Sequence, residues 1–229
     1  MIGLTSLSAA DWVAIWLTVK LSLVTTLILL ILAMPLAWLL ARWQHPAKYL
    51  VQAIIMLPLV LPPTVLGFYL LVVFAPDSVA GQLWQMLFGS TLAFTFSGLV
   101  FGSVIFSLPF AVQPLYTGFK ALAPEYLETA KLLGMPPVTV VWKIILPLLK
   151  PFIIVAAGLC FAHTMGEFGV VLMLGGSIPG ETQVLSIMLF NHVEGLRYTQ
   201  AHWLAFIMLM VSLLLLSMLF WVGRFRRAI

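Results

Sequence analysis

Apolar residues occupy most of this chain in long runs, and short polar clusters divide them. The first run, from about Trp12 to Ala41, would extend ~45 Å as a helix, more than the ~30 Å hydrocarbon core of a bilayer. Trp12 and Trp16 open it, and Trp38 and Trp43 close it, as interfacial aromatic belts do. Comparable runs over about 49–74, 96–119, 144–165 and 202–222 bring the predicted spans to five. The predicted fold class is an all-α polytopic membrane protein, one domain over residues 1–229. Pro58, Pro62 and Pro63 interrupt the second span; each removes a backbone donor, so the freed carbonyls need partners inside protein or a wet cavity. Such a break lines a path or forms a buried kink. Residues 76–95 carry Asp77 as their only charge, with a predicted surface helix over Val79–Phe88.

In the third span Gly98 and Gly102 form a G-x-x-x-G that permits close helix contact, and Pro109 and Pro114 bend its second half. In the fourth, Gly158, Ala162 and Gly166 share one helix face, and Gly166-Glu167-Phe168-Gly169 then interrupts the run. Residues 175–181 form a turn cluster. The apolar run at 182–190 is too short to cross and is predicted to be re-entrant or interfacial.

The longest polar run, Ala123 to Gly134, lies between the third and fourth spans. Pro124 suits the first turn of a helix, and Glu125 and Glu128 favour the positive end of its dipole. Lys131 falls in the last turn, and Gly134 is placed to close the helix in a left-handed conformation. Met135-Pro136-Pro137 then bars continuation, and a second helix is predicted from about Val138. The expected product is a short capped helix at the membrane surface, with the whole segment covering about 123–143.

Composition narrows the classes. The chain is 63% hydrophobic and 8% charged, which excludes an ordinary soluble domain. A single cysteine, Cys160, excludes an intramolecular disulfide and a cysteine-rich metal site. No Lys or Arg precedes Lys20, so no cleavable signal is expected. Lys20 itself either snorkels to the outer surface or attracts an anion. The turn at 42–48, the loop at 120–143 and the tail with Arg224, Arg226 and Arg227 hold most basic residues. By the positive-inside rule, the N-terminus is outside and the C-terminus cytoplasmic. Counting 182–190 as a span would put the three tail arginines outside.

Neither a G-x-x-x-x-G-K-[ST] phosphate loop nor paired histidine ligands occur, so no ATP site and no metal site are expected. His163, Thr164 and Glu167 are polar residues at the outer end of the fourth span, read either as functional groups or as hydrogen-bonded packing. Glu167 is a poor direct ligand for an anion on Coulomb grounds and suits a gate or loop anchor better. Thr64, Ser107 and Gln113 are neutral donors that could line a path, beside the Pro62-Pro63 break. A self-contained secondary transporter would call for paired intramembrane carboxylates or internal repeats; few mid-span acids and no clear repeat are present.

The polar segment has a further property. Glu128-Thr129-Ala130, three residues, Gly134, nine residues, then Ile144, Leu146 and Pro147 resembles the E-A-A-x3-G-x9-I-x-L-P signature of ABC importer permeases. Thr129 replaces one alanine. The resemblance implies a coupling helix that docks on a cytoplasmic ATPase, with Glu125, Glu128, Thr129, Ala130, Gly134, Ile144, Leu146 and Pro147 at the contact. Leu57 to Gly67, Gly166 to Gly169 and Ile178 to Thr182 look like the permease subunits of molybdate ABC transporters. Tungstate and sulfate or thiosulfate permeases are close alternatives. That likeness covers about Trp12 to Trp221. It implies a homodimer in the bacterial inner membrane, two ATPase subunits that carry ATP and Mg, and an extracytoplasmic oxyanion-binding protein. It implies no cofactor on this chain and no nucleic-acid partner.

Overall fold

The computed structural model describes residues 7–224. Arg226 and Arg227 of the basic tail lie outside them, and the side chain of Arg224 is likewise outside the description.

α1 (Ala9–Arg42) starts at a capping box. Ser8 Oγ accepts from Asp11 N at 3.3 Å, while the Asp11 carboxylate accepts from Ser8 N at 2.7 Å. These reciprocal bonds satisfy donors that a helix start leaves open. α2 (Ala47–Val60) and α3 (Pro63–Val73) then meet at a 111° bend. The cause is local: Leu61 and Pro62 are both extended, with ψ of 137° and 133°, as residues preceding proline prefer.

α4 (Val79–Phe88) is the surface helix expected from the sequence, capped by Ser78 and closed by Gly89 at φ +71°. α5 (Phe96–Lys120) follows a Thr95 cap. α6 (Pro124–Leu132) is the polar surface helix. From Pro137 to Met165 the chain is helical without interruption: α7 (Pro137–Val140), a wide π turn over Val141–Ile145, and α8 (Leu146–Met165). α9 (Gly169–Gly175), α10 (Leu185–Glu194) and α11 (Tyr198–Arg224) complete the described chain.

Register follows from the packing. Leu17 and Leu21 of α1 cluster with Leu99 of α5, and Leu29 to Leu40 cluster with Ala111, Leu115 and Phe119. The two helices therefore run parallel. The chain between them must return from the end of α1 to the start of α5, and α2 with α3 makes that passage. α1, α5, Pro137–Met165 and Tyr198–Leu219 are each long and apolar enough to cross a membrane, and the bent pair supplies a fifth passage. α8 runs antiparallel to α5, since Thr164 meets Ser107 and Leu149 and Phe152 lie against Gly118.

The two interrupted passages pack on each other. A Cβ on Gly169 would lie 2.7 Å from Pro63 Cβ and 3.2 Å from Thr64 N, and one on Gly67 would lie 2.7 Å from Met173 Cβ. α3 and α9 thus run side by side in close contact, glycine against the Cβ atoms and backbone of the other helix. The G-x-x-x-G of α5 divides its labour. Gly102 receives Val170 and Leu174 of α9, whereas a Cβ on Gly98 would strike Leu92 O at 2.2 Å. Gly98 therefore admits the chain entering its own helix, not a neighbouring helix.

α10 does not cross. Leu185 N donates to Thr18 Oγ1 at 2.7 Å, and at its other end His192 Nε2 meets Asp11 Oδ1 at 2.6 Å. It therefore packs along the first turns of α1, from Thr18 back to Asp11, and its ten residues are too few to cross. Arg197 Nε donates to His192 Nδ1 at 2.9 Å, so that ring nitrogen accepts and Nε2–H donates to the buried Asp11.

The glycines of the α8–α9 break give a direct test. Gly169→Ala should destabilise the protein by about 1–3 kcal/mol through overpacking on Pro63. Gly166→Ala, whose Cβ would come no nearer than 3.8 Å to an atom, should be close to neutral. Thermal midpoints of the two variants in the same detergent check the contrast.

Candidate functional site

α6 has two faces. Ala130 is 1% exposed and Leu127 half-buried, while Glu125, Tyr126, Glu128, Thr129 and Lys131 face outward. Pro124 occupies the first turn after an extended Ala123. At the other end the chain closes in a Schellman motif. Gly134 has φ +64°, Met135 N donates to Ala130 O at 3.0 Å, and Gly134 N donates to Lys131 O at 3.0 Å. Both bonds take up carbonyls that the helix end would leave orphaned. No atom lies within 4 Å of a Cβ built on Gly134, so the left-handed backbone, not space, is what requires glycine there.

Pro136 is extended (ψ 145°) and Pro137 opens the next helix. The π turn has a covalent cause three residues on. Pro147 has no N–H, and its ring would press on the carbonyl of Lys143 in a regular α turn. The backbone widens instead, and Leu146 N donates to Val141 O. Ile144, Leu146 and Pro147 are therefore held on or beside the widened turn. Together α6 and this turn enclose a groove of about 580 Å³ lined by Glu125, Thr129, Ala130, Lys143, Ile144 and Pro147. Five of the eight residues predicted to act together, Glu125, Thr129, Ala130, Ile144 and Pro147, thus share one outward-facing concavity, whereas Glu128 lines a cleft on the other side of α6. Leu132 and Trp142, 88% and 68% exposed, flank it with apolar surface.

The interior candidates separate into two groups. Pro62, Pro63 and Thr64 are exposed at the α2–α3 break, and Gly166 is exposed at the break that meets it. Ser107 is fully buried, between His163 Nδ1 at 2.8 Å and Thr164 Oγ1 at 3.0 Å, and so faces helix–helix contact. His163 stacks on Phe110 at 4.1 Å. Glu167 is 4% exposed and accepts from Ser103 Oγ at 2.7 Å.

These contacts correct the expected position of His163, Thr164 and Glu167. They lie within the bundle, because Ser103 is about two turns into α5 and α9 carries the passage onward beside it. The apolar run after Gly169 is a continuation of the span, not an exit from it. Ser103, Ser186 and Asp11 were not singled out by sequence. Ser186 Oγ donates to Glu167 O at 2.5 Å. Ser103 and Ser186 are isolated polar residues whose partners lie at least 19 positions away, and Asp11, besides its local capping box with Ser8, meets His192 181 positions away; no local spacing marks these long-range contacts. Among the described residues no group of three or more His, Cys, Asp or Glu could hold a metal ion.

A helical bundle with two mutually packed broken passages and an outward-facing capped corner has the architecture of a membrane permease. The chain belongs to the family of binding-protein-dependent transport system inner membrane components, whose model matches residues 33–229. It is a multi-pass inner-membrane protein of that family. It is 50% identical over 220 residues to the molybdenum transport system permease protein ModB of Azotobacter vinelandii, covering 96% of this chain and 97% of that one. ModB of Escherichia coli K12 is 34% identical, with 82% of each chain covered. The sulfate transport system permease protein CysT of the same organism is 33% identical, over 79% of this chain and 65% of CysT. A bacterial alginate ABC transporter in complex with a pentasaccharide-bound periplasmic protein shares the fold, with a TM-score of 0.73 at 17% identity, over 96% of this chain and 80% of that one.

The corner at Gly134 predicts a graded response. Gly134→Val should strain the left-handed backbone by about 1–2 kcal/mol and reduce transport while the chain still inserts. Gly134→Asn, which tolerates that conformation better, should retain more activity. Uptake normalised to membrane-inserted protein distinguishes the two.

Proposed function

We propose that this chain is the membrane-spanning permease of an ATP-driven importer of molybdate, with tungstate also carried. The observation that carries the substrate is the 50% identity to the Azotobacter molybdenum permease along nearly the full length of both chains. Likeness to the sulfate permease is lower and covers less of that protein. Tungstate follows because it is a tetrahedral dianion of nearly the same size.

In this reading the basic end, with Arg42, Lys120 and Lys131, faces the cytoplasm by the positive-inside rule, and the N-terminus lies outside. Two copies form a two-fold dimer, and each presents the α6 groove to one of two ATPase subunits. ATP and Mg belong to those subunits. An extracytoplasmic binding protein delivers the oxyanion to the end where Asp11 and His192 meet. Residues 1–229 act as one transmembrane domain.

The path is assigned to the walls formed by the paired breaks. Broken helices at membrane depth are found where they line a cavity or are buried in protein. Pro62, Pro63 and Thr64 are exposed in the single chain, and Gly169 backs them. Neutral groups there fit a weakly interacting path, because an ion held tightly midway would stall. Tight oxyanion recognition needs several charge-assisted donors, and these are assigned to the binding protein. Ser103 and Ser186 hold Glu167 as an anchor of the α8–α9 break.

Two measurements test this. Proteoliposomes with permease, ATPase and the cognate binding protein should accumulate molybdate and tungstate on addition of ATP. Accumulation of sulfate with neither of these would overturn the substrate. The purified chain alone should show no ATP hydrolysis; activity in a preparation free of other subunits would overturn the division of labour.

A further inference from the structure

The far side of α6 from the coupling groove forms a second cleft, of about 350 Å³, between the ends of α1 and α5. Arg42, Lys120 and Lys131 line it, with Glu128 as its one carboxylate. None of these four is in an ion pair among the described residues. The cleft therefore carries an excess of positive charge that the described residues do not neutralise. Its construction is fixed on one side: the Arg42 guanidinium lies 3.8 Å over the Trp38 ring, and Phe119 meets that ring edge-on at 5.1 Å. Ala41, Phe119, Leu122 and Leu127 provide an apolar floor.

We propose that this cleft binds the headgroup of an anionic phospholipid, with the phosphate held by Arg42, Lys120 and Lys131 and the glycerol end of the lipid against the apolar floor. Depth favours a lipid over other anions. Arg42 is the last residue of α1 and Lys120 the last of α5, so the cations sit where the apolar spans end and headgroups begin. Basic pockets between membrane helices at that level bind anionic headgroups. A small free oxyanion would gain nothing from the apolar floor. A carboxylate from a soluble partner has the outward groove of Thr129 and Ile144 as its approach. The bound lipid would tie α6 to the ends of α1 and α5, which the chain joins there through few contacts of its own.

The test uses the assembled transporter, permease with its ATPase, delipidated and titrated with phosphatidylglycerol or phosphatidylcholine while native mass spectrometry counts bound lipid. Phosphatidylglycerol should bind in preference to phosphatidylcholine. Each cation removed should weaken retention about fivefold, so that Arg42→Gln with Lys120→Gln weakens it about thirty-fold. Lys48→Gln, a basic residue of the same end outside the cleft, should leave it unchanged. Should the double variant fail to assemble, the single variants carry the same test at about fivefold each. Equal retention in wild type and variants would overturn the proposal. So would displacement of the lipid by millimolar inorganic phosphate or molybdate, which would make this a free-anion site. Binding seen only when the ATPase is absent would overturn it in favour of a protein carboxylate.

Discussion

A backbone that breaks within a bilayer must hide its unpaired N–H and C=O groups from lipid, and this chain breaks twice. The structure answers by placing one break against the other. Gly169 lies on Pro63 and Thr64, and Gly67 lies on Val170 and Met173. Neither interruption has to be covered by long side chains, and α3 and α9 approach closely enough for backbone to shield backbone. Much else follows from this pairing. Gly102 of α5 is kept small to admit α9, and the α2–α3 pair must bend by 111° to bring Pro63 to its partner. The parallel course of α1 and α5 depends on the same bent passage.

Around that pairing, a few buried polar contacts fix the register of otherwise slippery apolar helices. Ser103 with Glu167 sets α5 against the α8–α9 break, Ser186 sets α10 against the same break, and Thr18 receives the first N–H of α10. Asp11, His192 and Arg197 clamp the start of α1 to the turn between α10 and α11. Lys20, on an exposed helix face, rests its ammonium 4.5 Å over the Phe96 ring. Glu167 Oε1 and the hydroxyls of Ser22, Thr25 and Thr26 have no partner among the described residues; buried oxygens of this kind are ordinarily satisfied by ordered water.

What the sequence revealed divides by distance along the chain. Local chemistry was legible: the proline start and glycine stop of α6, the surface helix at Val79–Phe88, and the apolar lengths of the spans all appear where the residue types demand them. The π turn was not legible, because the proline that causes it was read as part of a motif and not as a steric demand on Lys143. The depth of Glu167 was misjudged for a related reason. Five apolar residues after Gly169 are too few to announce a span, and their role becomes visible only once they are laid beside α5. The Asp11–His192 contact joins residues 181 positions apart, and no periodicity encodes such a pair.

The continuous helix from Pro137 to Met165 has 29 residues, about 43 Å at helical rise. One end carries the groove beside Gly134 and the other ends at the Glu167 break. It is in mechanical terms a lever: a tilt of about 5° imposed at the surface end carries the far end sideways by about 4 Å. Gly158, which would clash with Leu219 if it bore a side chain, lies along this helix where α11 crosses it. A displacement of that size is comparable to the width of a single tetrahedral oxyanion, so a small motion at the membrane surface is amplified to the scale of the cargo.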